Sequence, residues 1–73
     1  MGTTRIAYRV PTTAHSVILY VRWALDGQIV EAIPVPANGR YHDLKLSACP
    51  AGMYLYSLVV DGVPSLTRRL VVQ

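Results

Sequence analysis

The chain has no phenylalanine, one tryptophan, one cysteine and only four acidic residues among its 73. A lone Cys49 excludes an intrachain disulfide, so a domain near the lower size limit for a self-sufficient core must hold itself by packing. The four acids are Asp26, Glu31, Asp43 and Asp61, and two of them sit in Asp-Gly pairs. No two carboxylates are arranged for acid–base work, and the chain does not read as an enzyme. Long apolar runs are missing as well. The longest spans residues 17–21, against the ~20 residues a transmembrane helix needs. Strong charge is also absent, with a net charge of +3 and basic residues scattered apart from Arg68-Arg69. Nucleic-acid binding calls for a basic stripe interleaved with aromatics on one face. Neither a nucleic-acid partner nor a membrane span is expected.

What is present is alternation. The chain is 52% hydrophobic, too apolar for a disordered segment, and nothing in it reads as helix. Five prolines (Pro11, Pro34, Pro36, Pro50, Pro64) interrupt it at short intervals, and a proline inside a helix costs about 3 kcal/mol. Between them apolar residues recur with period two, the spacing of half-buried strands. Ile6, Tyr8 and Val10 share one face against Arg5, Ala7 and Arg9. Val17, Leu19, Val21 and Trp23 form the inward set of the next strand. Its other face, Ser16, Ile18, Tyr20 and Arg22, is partly apolar, as in a central strand covered on both sides. Asp26-Gly27 predicts a hairpin turn with a return over residues 28–33, Ile29 and Ile33 on one face and Val30 on the other. Pro34 and Pro36 predict an end to that pairing. His42, Leu44 and Leu46 then alternate against Tyr41, Asp43 and Lys45, followed by a crossover over residues 47–52. Tyr54, Tyr56, Leu58 and Val60 oppose Met53, Leu55, Ser57 and Val59 on a long strand. Asp61-Gly62 makes a second hairpin turn, and a last segment, broken at Pro64, resumes over residues 66–72. Six or seven short strands with hairpin turns and no helix predict a small antiparallel β-sandwich.

The side chains that carry chemistry are few. His15, His42 and Cys49 lie far apart and in no metal-ligand spacing. Nucleophilic catalysis by Cys49 would need a neighbouring base, and its place before Pro50 reads instead as packing of a small apolar residue. No cofactor or metal is expected. Six aromatics (Tyr8, Tyr20, Trp23, Tyr41, Tyr54, Tyr56) could make a sugar-stacking platform, although alternation sends Tyr54 and Tyr56 to one packed face. Arg68 and Arg69 point to opposite faces of the last strand, beside Leu70, Val71 and Val72. Such a strand is either an edge guarded by charge or one presented to a receptor by edge pairing.

The segment Pro50-Ala-Gly-Met-Tyr-Leu-Tyr-Ser-Leu-Val-Val-Asp-Gly62, with its basic and apolar tail, resembles the C-terminal sorting domain of proteins exported by the bacterial type IX (Por) secretion system. Pro50, Gly52, Tyr54, Tyr56, Leu58, Asp61 and Gly62 match the densest part of that pattern, and Gly27 matches its turn glycine. Thr3-Thr-Arg-Ile-Ala-Tyr-Arg-Val-Pro11 looks like the family's opening strand. Departures are Cys49 in place of leucine before the proline, Ala24 in place of an acid, and tail arginines in place of lysines. The resemblance implies an immunoglobulin-like sandwich of six or seven strands that forms a single sorting domain. It further implies that this domain was cut from a longer secreted precursor, consistent with a start, Met1-Gly2-Thr3-Thr4, that lacks the features of a signal peptide. Its partners would be the translocon, a sortase-like protease that removes the domain, and an N-terminal passenger. The domain would pass through the periplasm, leaving the passenger at the outer-membrane surface or outside the cell. The tail residues Arg68, Arg69, Leu70, Val71 and Val72 would carry recognition. The alternatives are a structural or sugar-binding accessory module of a secreted enzyme and, not exclusive of sorting, a homodimer formed by exchange of the C-terminal strand.

Overall fold

A computed structural model describes residues 3–45, 49–65 and 67–73. It contains seven strands and no helix among those residues: β1 (Thr3–Ala7), β2 (Val17–Trp23), β3 (Ile29–Pro34), β4 (Tyr41–Lys45), β5 (Gly52–Val60), β6 (Val63–Pro64) and β7 (Arg68–Val72). All pairings are antiparallel. β1 pairs with β4 in a two-stranded sheet. The larger sheet runs β3-β2-β5, and β6 and β7 divide the far side of β5 between them.

This connectivity is that of an immunoglobulin sandwich. The β1–β4 pair corresponds to strands B and E, and β3-β2-β5-β7 to strands C′, C, F and G. Strands A and D, which flank B and E in the full fold, have no counterpart among the described residues. The domain is therefore an immunoglobulin-like β-sandwich whose smaller sheet, among the described residues, is open at both edges.

The period-two pattern sorts side chains as the sequence predicts. Ile6 and Leu44 from the small sheet meet Val17, Leu19, Val21, Tyr54, Leu70 and Val72 from the large one, all buried. Trp23, Tyr56, Leu58 and Val60 pack against this cluster at its margins. β2 is central, flanked by β3 and β5 over most of its length. Leu46 and Leu66, assigned to strand faces from the sequence, lie outside the described residues.

Three local features differ from the sequence reading. First, the register slips between Val21 and Arg22, so that Arg22 faces Ile29 while Val21 faces Glu31. Val30 is the extra residue of a β-bulge. Because a bulge shifts the alternation by one, Ile29 joins the outer face and Ile33 the core face; they are not on the same side. Second, β3 runs on through Pro34, and the Val35 amide still donates to the Val17 carbonyl at 3.0 Å. β3 is an edge strand, where a proline's missing N–H is tolerated on the solvent side. Third, of the two Asp-Gly pairs only Asp61-Gly62 has both residues at positive φ (50° and 83°), the signature of a two-residue type I′ hairpin. At the other, Gly27 alone is positive (φ 75°). There the Gly27 amide donates to the Trp23 carbonyl at 2.8 Å, and Asp26 accepts from the Gln28 amide at 2.9 Å.

Tyrosine hydroxyls fasten two corners. Tyr8 donates to the Pro36 carbonyl at 2.8 Å, and its ring end occupies the space a Cβ on Gly39 would need. That contact fixes the residue at the 36–39 turn as glycine.

Candidate functional site

The residues singled out from the sequence fall into two groups with different surroundings. The first is the Pro50-Gly52-Tyr54 motif. Tyr54 is 1% exposed and donates to the Pro50 carbonyl, four residues upstream, at 2.6 Å. This is the tyrosine corner of immunoglobulin-like domains, at the start of strand F. Burial pushes the Tyr54 hydroxyl's pKa up from its ordinary value. Trp23 stands edge-on to Tyr54 with ring centroids 4.7 Å apart, a favourable aromatic geometry. The same indole lies across Gly52, where a Cβ would fall 2.8 Å from the ring, at a φ of 152° that side chains rarely adopt. Pro50, Gly52 and Tyr54 are thus one packing unit around Trp23, with Cys49 half-buried beside the core.

Gly52→Ala is accordingly expected to cost more than the roughly 1–3 kcal/mol of backbone strain alone, because its Cβ also meets the indole, and to shift the Trp23 fluorescence maximum. Gly27→Ala, also at positive φ but in open space, should cost the strain only and leave the emission unchanged. Equal costs in urea titrations would contradict the packing account.

Asp61 does more than shape its turn. Its Oδ1 accepts from the His15 and Ser16 amides, both at 2.8 Å, while its own amide donates to the Ser16 carbonyl at 2.8 Å. The carboxylate holds the entry to β2 against the β5–β6 hairpin. Sequence reasoning explained Asp61 by backbone conformation alone, and no local signal marks these partners, 45 and 46 residues away.

The second group is the tail. β7 pairs only with β5, with Arg68 opposite Tyr56, Arg69 opposite Leu55, Leu70 opposite Tyr54, Val71 opposite Met53 and Val72 opposite Gly52. It is an edge strand at the end of the chain. Alternation divides its five side chains: Leu70 and Val72 are core, while Arg68, Arg69 and Val71 are exposed. Only these three, with the free backbone edge, are available to a partner. Arg68 and Arg69 have no ion pair; the one ion pair among the described residues joins Arg5 to Asp43 at 2.9 Å. The hydrogen bond from Arg5 lowers the Asp43 carboxyl's pKa, and Arg5 also stacks 3.9 Å from the Tyr41 ring.

The structure does not gather the remaining polar candidates into a site. His15 is exposed in a loop, His42 half-buried on β4 and Cys49 half-buried beside the core. Among the described residues no three metal-ligating side chains converge. Tyr54 is buried and Tyr56 half-buried against the core, so the two make no exposed aromatic row. No family model, curated protein or solved structure matches the chain.

Proposed function

We propose that this domain is a non-catalytic C-terminal sorting signal. It directs a passenger fused at its N-terminal side through the type IX translocon, and a sortase-like protease then removes it. The observation that supports the reading most is the composition of β7, a terminal edge strand that anchors itself by Leu70 and Val72 and presents Arg68, Arg69 and Val71. A signal recognised as a folded domain needs a stable core and an exposed, distinctive edge. Backbone pairing along such an edge supplies affinity, and two unpaired arginines orient the encounter with an acidic receptor surface. The motif residues Pro50, Gly52, Tyr54, Tyr56, Leu58, Asp61, Gly62 and Gly27 act on this reading through the fold, by holding β5 and its turns so that β7 has a partner.

The test fuses the domain to a periplasmically targeted fluorescent protein in a bacterium with a type IX system. Fluorescence at the surface or in the medium, lost in a translocon-deficient strain, is the expected result. Periplasmic retention of a folded fusion would defeat the proposal and favour an accessory module.

A further inference from the structure

We propose that the open edge of β1 is a second interaction site, which accepts an extended acidic segment of a partner polypeptide as an added strand. The site shares Arg68 with the tail strand but does not rest on the sorting reading. Among the described residues β1 pairs with β4 alone, on one side. The Tyr8 amide donates to the Arg40 carbonyl across that pair at 2.9 Å. Because backbone groups alternate in direction along a strand, those of Arg5, Ala7 and Arg9 point the other way, toward the unpaired edge.

A depression of about 220 Å³ opens along this edge, with Ala7, Tyr8 and Arg9 in its wall, Tyr56 and Leu58 on its floor and Arg68 at its border. Its lining contains no acid. Arg9 and Arg68 are exposed and lack ion-pair partners among the described residues. An incoming strand would find outward backbone donors and acceptors, an apolar floor for alternate side chains, and two guanidinium groups for carboxylates between them. This charge pattern selects the occupant. A basic strand is repelled, and an uncharged one leaves the arginines unused.

The probe is a capped hexapeptide alternating glutamate and valine, titrated into the ¹⁵N-labelled domain, with the lysine–valine peptide as control. Saturable shifts at Ala7, Arg9 and Arg68 with slowed amide exchange at Ala7 and Arg9 are expected, and the control should give none. Ala7→Pro removes an outward N–H without taking a bond from the β1–β4 ladder and should weaken binding about tenfold. Should that variant misfold, the paired reversals Arg9→Glu and Arg68→Glu should transfer the preference to the lysine peptide. Absent or charge-independent shifts, or shifts confined to β3 or β7, would overturn the proposal. So would identical shifts with inorganic polyphosphate and no slowing of exchange, which would reduce the site to an anion patch.

Discussion

Tyr54→Ala is expected to leave the isolated domain largely unfolded at 25 °C. A chain of this length has roughly 4–11 kcal/mol of stability, taking about 0.05–0.15 kcal/mol per residue. Truncating a buried large aromatic typically removes about 3–5 kcal/mol. The ring is among the four most deeply buried large side chains, and it packs against Trp23 as well as supporting the β5–β7 pairing. Its loss also strands the Pro50 carbonyl it bonds. Tyr54→Phe separates the contributions, since it keeps the ring and loses only the hydrogen bond, at about 1 kcal/mol. Urea denaturation followed by Trp23 fluorescence measures both. A Tyr54→Ala variant with a cooperative transition within about 1 kcal/mol of the parent would show that the tyrosine corner does not organise this core.

The second large effect concerns export, and the structure determines which variant reveals it. Deleting residues 68–73 should abolish surface display of a fused passenger, but it also extracts Leu70 and Val72 from the core. Each contributes about 1.5–3 kcal/mol of burial, so a truncated domain is expected to unfold, and its failure to export would not distinguish lost recognition from lost structure. The paired reversals Arg68→Glu and Arg69→Glu act only on exposed side chains. Changes at such positions ordinarily shift stability by about 0.5 kcal/mol or less. We expect this variant to melt close to the parent and still hold its passenger in the periplasm. Surface display at parental levels, with unchanged melting, would mean that the arginines only protect an edge from unwanted pairing.

These two variants also mark where the sequence was informative. The core membership of Ile6, Tyr8, Val17, Leu19, Val21 and Leu44 followed from period-two spacing, because each lies on a strand whose two faces differ in polarity along the sequence itself. The Asp61-Gly62 hairpin was equally legible, since a two-residue turn uses only the conformational tolerance of its own residues. The tail was legible as an edge strand with arginines on opposite faces. What alternation could not say was that Leu70 and Val72, grouped in the sequence reading with the recognition residues, face Tyr54 and Gly52 across β5.

The sequence by itself determined the all-β class, the main strand faces and the two glycine turns, because these depend on neighbours one to four residues apart. Only the tertiary structure decided the bulge at Val30, the clamp of Asp61 on the His15 and Ser16 amides, the indole of Trp23 laid over Gly52, and the open edge of β1. Each of these joins segments brought together by sheet pairing or packing, or is the side of a strand that no described residue pairs. Such relations are properties of the assembled sandwich, and no window along the chain contains them.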